Sequence, residues 1–310
     1  MKKQLLLVTL CFFALTITQA QRDFSNSKIT KLVLLGTGNP NPNPAHSGPS
    51  VAIIVNDEPY IVDFGPGLIR RLAALSERYG KTIKLKGLKV KNIKHAFLTH
   101  LHSDHTAGYP DLILTPWVMG RNTPLEVYGP EGLNDMTKYI LKAYQEDIKY
   151  RLYGLEPINN KGWRVNSHEI LKEGVVYKDK NVTVEAFPVK HGSWPNAWGY
   201  RFTTPDKVIV ISGDTAPSEK VEKYATRANI LVHEVYSGEK FKGLSPFWQN
   251  YHAHNHTSTY ELAKIANGAK PKLLVTYHML FWGSTEKDIL NEIKKTYKGK
   301  VIVGEDLDVF

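Results

Sequence analysis

The sequence predicts an α/β protein in which two β-sheets pack face to face and helices cover their outer surfaces. Strand-like and helix-like segments mix in two successive blocks, and no linker divides the chain. Short apolar runs that predict buried strands repeatedly end at a His or Asp residue, which places polar groups along one edge of the sheets. Residues 21–310 are therefore expected to form a single domain.

The first 20 residues are expected to be a secretory signal peptide. Lys2 and Lys3 precede the apolar run 5–17, and the small residue Ala20 follows it. The apolar run is short for a membrane span. We therefore expect cleavage after Ala20, a secreted or periplasmic mature protein, and no stable membrane anchor.

Composition narrows the chemistry that the mature chain can carry out. The only cysteine, Cys11, lies within the signal peptide, so disulfides are excluded and metal ligands must be nitrogen or oxygen atoms. The formal charge of +10 decreases by two when Lys2 and Lys3 are removed. A basic surface favours anionic substrates, but these charges are scattered, which is typical of an ordinary solvated surface.

In the first block, the pattern predicts strands at 31–38, 50–55, 59–63 and 125–128, and helices at 68–79, 106–119 and 133–155. The Pro/Asn-rich segment 39–49 is predicted to be a loop over one edge of the site. Asp63 ends a strand, where its carboxylate could orient a ligand histidine or cap the next helix. Segment 154–180 shows no period, and we expect a cap or surface excursion there.

The segment 99–105 (THLHSDH) contains the strongest candidate metal ligands. In an extended segment His100 and His102 point to the same side, so they can share one metal ion. Asp104 and His105 lie where the chain turns and can face a second ion. Imidazoles and carboxylates are ligands for zinc and similar divalent ions.

In the second block, strands are predicted at 182–189, 198–203, 207–212, 230–235, 273–277 and 301–303, with helices at 218–227, 259–266 and 286–297. His191, Asp214 and His278 lie at or just beyond strand ends, and His256 precedes a helix. Strand ends along one edge of a sheet converge, so we expect these side chains to meet.

With these residues the chain resembles the metallo-β-lactamase superfamily, whose His-x-His-x-Asp-His element matches 100–105. The resemblance implies a four-layer αββα sandwich and two zinc ions, with manganese or iron as alternatives. It also implies the ligands: His100, His102 and His191 for one ion, Asp104, His105 and His278 for the other, and Asp214 bridging both. The position of Asp63 matches the acid that orients a ligand in this superfamily.

Catalytic roles are also implied by the resemblance. In the ribonuclease Z-like branch a histidine in a His-Ser-Thr motif, paired with an acid, donates a proton to the leaving group. His256-Thr257-Ser258 is similar, with the last two residues in reverse order, and Glu234 would be the paired acid. Asp104 would hold the proton of the nucleophile while serving as a ligand.

Two features set the expected branch. Only 22 residues separate His191 from Asp214, too few for the tRNA-gripping arm of ribonuclease Z, so we expect no tRNA partner. Segments 35–40, 47–50 and 62–67 look most like the secreted arylsulfatase group, and aromatic residues near the predicted ligands suit an aryl substrate. The expectation is a secreted dinuclear zinc hydrolase of small aryl sulfate esters.

Three alternatives remain open. One is a phosphodiesterase, similar to ribonuclease Z without its arm. Another is a lactonase or β-lactamase-like hydrolase. The last is a metal-binding envelope protein without catalytic activity. The sequence does not specify the oligomeric state.

Overall fold

The computed structural model describes residues 29–310, and the predicted signal peptide lies outside them. A mixed six-stranded sheet has the order β1-β2-β3-β4-β5-β6. Its strands are β1 (Thr30–Gly36), β2 (Ser50–Val55), β3 (Glu58–Val62), β4 (His95–Phe97), β5 (Leu125–Gly129) and β6 (Val165–Glu169).

A second, seven-stranded sheet contains the remaining strands in the order β13-β12-β11-β10-β9-β8-β7. These strands are β7 (Gly174–Lys178), β8 (Thr183–His191), β9 (Trp194–Thr203), β10 (Val208–Ile211), β11 (Ile230–Tyr236), β12 (Leu273–Leu280) and β13 (Val301–Val303).

In the part of the chain that the structure describes, ten α-helices connect the strands. They are α1 (Leu68–Ala74), α2 (Ser103–Thr106), α3 (Tyr109–Val118), α4 (Leu133–Ala143), α5 (Gln145–Tyr153), α6 (Glu219–Tyr224), α7 (Gly238–Phe241), α8 (Pro246–Asn255), α9 (Thr259–Ala269) and α10 (Glu286–Lys294). Within residues 29–310, none of these helices is both long enough and apolar enough to cross a membrane.

Three apolar cores separate four layers, which confirms the predicted αββα sandwich. The central core joins the sheets, with Phe97 of the first sheet and Tyr200 of the second among its buried residues. A second core includes Leu72 of α1 and Ile113 of α3 on the outer face of the first sheet. A third core includes Leu262 of α9, outside the second sheet.

Strand direction places the polar residues at one edge. In the first sheet β3, β4 and β5 run parallel, and in the second β10, β11 and β12 do so. Strand β8 has the same direction as β10, because the strand between them, β9, is antiparallel to both. The carboxyl ends of these strands therefore collect the residues that follow them.

Segment 154–180 departs from its prediction. It contains β6 and β7, which form the outermost strands of the two sheets, rather than a surface excursion. Its residues in these strands are half-buried or exposed, so no buried apolar run marked them as strands. Helices α7 and α8, between β11 and α9, were also not predicted.

Two predicted helices differ from the structure. The helix predicted at 106–119 is α3, which begins at Tyr109; α2 precedes it and overlaps the predicted range only at Thr106, and Gly108 lies between α2 and α3. A Cβ atom at Gly108 would lie 2.5 Å from the carbonyl oxygen of Gly65, so the chain passes too closely for a larger residue. Segment 133–155 becomes α4 and α5, which meet at Tyr144.

Candidate metal centre

All seven predicted metal ligands lie at the edge where the two sheets meet. They are His100 and His102 after β4, Asp104 and His105 in α2, His191 at the end of β8, Asp214 after β10, and His278 two residues before the end of β12. Five of them are buried, whereas His102 and Asp104 are partly exposed. Ring nitrogens and carboxylate oxygens of these residues form several groups within 4.8 Å of one another.

Backbone irregularities turn some of these side chains toward the edge. His278 has φ +45°, and it is the additional residue where the pairing of β11 with β12 shifts register. Such bulges redirect a side chain and are common beside active sites. Asp63 also has a positive φ, +59°, and Gly213, with φ +63°, precedes Asp214.

Three histidines form what we call the histidine group: His100, His102 and His191. The Nδ1 atom of His102 lies 2.9 Å from Nε2 of His100 and 3.0 Å from Nε2 of His191. Nitrogens bound to one tetrahedral zinc ion would lie about 3.3 Å apart, given a zinc–nitrogen distance of about 2.0–2.1 Å. The group is therefore close to the spacing that one ion requires.

Neighbouring groups set the tautomers of two of these histidines. His191 Nδ1 donates a hydrogen bond to the backbone oxygen of Asn255 at 2.8 Å. His100 Nδ1 donates to Thr99 Oγ1 at 3.0 Å, because that hydroxyl itself donates to Asp63. With their protons on Nδ1, both rings present the Nε2 lone pair to the shared point.

His102 is held differently. The indole N–H of Trp194 donates to its Nε2 atom at 2.7 Å, which places the proton of a neutral ring on Nδ1. Coordination through Nδ1 therefore requires this indole to turn away or His102 to lose its proton. The sequence gave no sign of this contact.

The second set, which we call the mixed group, is Asp104, His105 and His278. Asp104 Oδ2 lies 3.1 Å from His278 Nε2 and 3.5 Å from His105 Nε2. His105 Nδ1 donates to Asp63 Oδ2 at 2.9 Å, so its Nε2 faces the group unprotonated when the ring is neutral. Asp63 therefore orients a predicted ligand, as the sequence indicated.

Asp214 lies between the two groups. Its Oδ1 is 3.4 Å from His105 Nε2 and its Oδ2 is 3.3 Å from His278 Nε2. The same Oδ2 is 4.0 Å from Nε2 of both His100 and His191. Asp214 Oδ1 and His105 Nε2 are buried without a hydrogen-bond partner. Buried polar atoms rarely remain unsatisfied, and a metal ion between them would satisfy both, so these His and Asp residues could hold metal ions.

Electrostatics distinguish the two groups. Burial lowers the pKa of His102 and of His191 to about 4, so both rings are neutral at pH 7. Burial also acts to lower the pKa of His105, but the charges of Asp214, Asp63 and Asp104 outweigh it and hold that pKa well above its usual range. The pKa of His278 is raised against burial in the same way, by Asp214 and Asp104.

The two remaining predicted catalytic residues lie beside Asp214. His256 Nδ1 is 3.5 Å from Glu234 Oε2 and 4.0 Å from Asp214 Oδ2. Glu234 is fully buried in β11, and its Oε1 accepts hydrogen bonds from the backbone N–H of Thr257 at 2.8 Å and of Thr215 at 3.4 Å. The predicted His256–Glu234 pair is thus brought together.

The loop 39–49 covers one edge of the site, as predicted. Asn39 Nδ2 donates to the backbone oxygen of Met279, the residue after His278, at 2.6 Å. A cleft of about 170 Å³ lies there, lined by this loop together with Phe281 and Trp282.

Comparison with known proteins relates the chain to ribonucleases. It is 29% identical over 282 residues to ribonuclease Z of Mycobacterium bovis, an alignment that covers 89% of this chain and 96% of that protein. It is 30% identical over 281 residues to ribonuclease Z of Mycobacterium sp. (strain KMS), which covers 89% of this chain and 94% of that protein.

Solved structures share the fold. Human tRNase Z, short form, has a TM-score of 0.67 and 21% identity, and the match covers 90% of this chain and 98% of that one. The metallo-β-lactamase fold protein YhfI from Bacillus subtilis has a TM-score of 0.65 and 16% identity, with 91% and 99% covered.

The ribonuclease relatives overturn two expectations. The expectation of aryl sulfate hydrolysis was wrong, because sulfate and phosphate esters offer similar oxygens to a metal centre and aromatic residues do not distinguish them. The expectation of a small ester substrate without tRNA was also wrong. Segment 192–213 does form β9 and β10 and leaves no room for an arm, but the absence of one RNA-gripping element does not exclude RNA.

The family model described as "Beta-lactamase superfamily domain" matches residues 60–279, which is more than half of the chain. That range includes every predicted ligand and both residues of the His256–Glu234 pair. The chain therefore belongs to the metallo-β-lactamase superfamily, in its ribonuclease Z-like branch, and is a metal-dependent hydrolase.

Proposed function

We propose that the protein is a phosphodiesterase that cleaves RNA and uses two metal ions. The convergence of the histidine group and the mixed group, with Asp214 between them, is the observation that carries this proposal. The relatives named ribonuclease Z support RNA as the substrate.

The donor set fits zinc. The histidine group and Asp214 would hold one ion, and the mixed group and Asp214 the other, with nitrogen and oxygen atoms that suit zinc and also manganese or iron. Bound zinc ions supply hydroxide at neutral pH and offset the negative charge of a phosphodiester. The resemblance to a family with two ions and the spacing of the two groups support this stoichiometry.

The residues themselves orient the substrate and move protons. Asp104 Oδ2 faces His105 and His278, so its other oxygen is the atom that would accept the proton of the attacking water. His256 turns Nδ1 toward Glu234, which leaves Nε2 to donate a proton to the departing ribose oxygen. An alkoxide leaving group needs such a donor.

The His256–Glu234 pair would relay this proton. Burial lowers the pKa of His256 to about 4. Burial and the charge of Asp214 raise the pKa of Glu234 well above its usual range. The pair therefore holds its shared proton on Glu234. As Nε2 of His256 gives its proton to the ribose oxygen, Nδ1 takes the proton from Glu234 Oε2, and Glu234 becomes a carboxylate.

The test is cleavage of end-labelled single-stranded RNA and of precursor tRNA by zinc-loaded protein. We expect cleavage that a chelator abolishes and added zinc restores. The Asp214→Ala variant, purified in the same way, controls for contaminating ribonuclease. If both RNAs stay intact while the small diester bis-p-nitrophenyl phosphate is hydrolysed, RNA is not the substrate.

We also propose that residues 1–20 direct export and are removed after Ala20, so that residues 21–310 form the mature domain in the periplasm or outside the cell. The two lysines followed by an apolar run and a small residue support this. N-terminal sequencing of the protein from its native host should begin at Gln21. A start at Met1 would contradict export by this route.

A further inference from the structure

We propose that α8 carries a base-stacking subsite, in which the exposed rings of Phe247, Trp248 and Tyr251 receive unpaired bases next to the scissile phosphodiester. This inference rests on the proposed function and specifies its substrate. The RNA must be single-stranded on the side of the scissile bond that faces α8.

The first observation is exposure. The side chains of Phe247, Trp248 and Tyr251 are 71%, 49% and 37% exposed. None of the three belongs to any of the three apolar cores. They lie together on α8: the ring of Trp248 is 5.3 Å from that of Phe247 and 5.6 Å from that of Tyr251, and Tyr251 follows the other two by four and three residues, the spacing of one helix face. Adjacent exposed aromatic side chains of this kind commonly mark a binding surface.

The second observation is continuity with the candidate metal centre. The ring of Trp248 stacks on His252, with centroids 5.7 Å apart and an angle of 27° between planes. The ring of His252 lies 5.6 Å from that of His256, which itself lies 5.2 Å from His191. A run of rings therefore leads from the predicted ligands to the exposed surface of α8.

Trp282 packs against His252, one of these stacked rings. Its ring lies 4.6 Å from His252 and 5.4 Å from Tyr236. Burial lowers the pKa of His252 to about 4, so its ring is neutral at pH 7 and serves as a flat support for Trp248. The ring of Trp248 is thus supported by His252, which Trp282 contacts in turn, before any substrate binds.

The third observation is charge. From Lys240 to His256, both included, the chain has two lysines and three histidines but no carboxylate. Glu239 lies just before this segment, and its charge is offset by ion pairs with Lys242 at 2.8 Å and Lys295 at 3.0 Å. Many proteins that bind single-stranded nucleic acid combine basic groups, which attract the phosphates, with exposed aromatic rings, because every base has a face that can stack.

The experiment compares Trp248→Ala with the wild type on two single-stranded RNA oligonucleotides. One has all its bases, and the other has an abasic residue beside the cleaved bond. Trp248→Ala should raise KM for the complete RNA about 5- to 150-fold, the range for loss of one base–aromatic stack. Its kcat should change much less. With the abasic RNA, the KM of the wild type should already be raised, and Trp248→Ala should raise it little further.

Two variants make the test specific. Trp248→Phe keeps a ring and should recover most of the affinity for the complete RNA. Tyr153→Ala, on α5, removes another exposed aromatic residue, 84% exposed, and should leave KM unchanged. Melting temperatures confirm that each variant is folded.

The outcomes separate this inference from the proposed function. RNA cleavage with the same KM in the wild type and Trp248→Ala would overturn the subsite alone. Cleavage of bis-p-nitrophenyl phosphate without cleavage of any RNA would overturn both. A dimer that Trp248→Ala dissociates would show that a second copy of the chain covers this face, and would also overturn the subsite.

Discussion

Replacing Asp63 with Asn should weaken metal binding without removing a predicted ligand. The carboxylate of Asp63 accepts hydrogen bonds from Thr99 N at 2.8 Å, from Thr99 Oγ1 at 3.0 Å and from His105 Nδ1 at 2.9 Å. An Asn side chain has one acceptor oxygen and an amino group that only donates. In either orientation at least one of these buried donors faces another donor.

The expected cost follows from these contacts. A lost hydrogen bond to a charged group is worth about 1.5–3 kcal/mol, and loss of a group that orients a metal-binding histidine typically costs about 10- to 100-fold in affinity. We therefore expect zinc affinity of the mixed group to fall about 10- to 100-fold in Asp63→Asn, measured by competition with a chelating dye. The affinity of the histidine group should change less.

A matched control is available at the other end of the fold. Asp179 precedes β8, at the end opposite His191, and accepts hydrogen bonds from Tyr60 Oη at 2.6 Å and Tyr177 Oη at 3.0 Å. Asp179→Asn should lower the melting temperature and leave zinc affinity unchanged. If Asp63→Asn also lowers only the melting temperature, then Asp63 stabilises the fold and does not orient a metal ligand.

Asp214→Ala should lose metal from both groups and become inactive, whereas Asp104→Ala should lose it from the mixed group only. If elemental analysis finds equal metal content in Asp214→Ala and the wild type, then Asp214 is not the residue that the two ions share. On acidification, the mixed group should release its ion at a higher pH than the histidine group. The carboxylates raise the pKa values of His105 and His278, so protons displace the ion from those rings at a higher pH. A metal-sensitive dye would follow the release, and simultaneous release from both groups would contradict this expectation. His256→Ala should slow RNA cleavage by about 10²-fold or more and that of bis-p-nitrophenyl phosphate far less, because nitrophenolate leaves without a proton. Equal losses on both substrates at unchanged metal content would assign His256 to substrate binding.

The sequence could predict the fold and the position of the site because both depend on strand ends. Buried strands give continuous apolar runs, and His191, Asp214 and His278 stand where such runs stop. The edge strands β6 and β7 could not be predicted in this way, because they are only partly buried. Helix α8 was missed because its aromatic residues face outward and leave no apolar period.

Contacts between distant segments were also beyond the sequence. The hydrogen bond from Trp194 to His102 and that from His191 to Asn255 depend on the packing of β9 and α8 beside the site. The substrate could not be read from the ligand types, because sulfate and phosphate esters present similar oxygens. The shortness of segment 192–213, which forms β9 and β10, was wrongly taken to exclude RNA.

A zinc titration of the metal-free protein, with RNA cleavage measured at each step, tests whether the two groups form one RNA-cleaving centre. Two zinc ions should bind per chain, and cleavage should rise mainly with the second, since both groups and Asp214 act together. Without zinc there should be no cleavage. Full cleavage by the metal-free protein, or zinc binding at both groups with no cleavage of any RNA, would show that this centre does not cleave RNA.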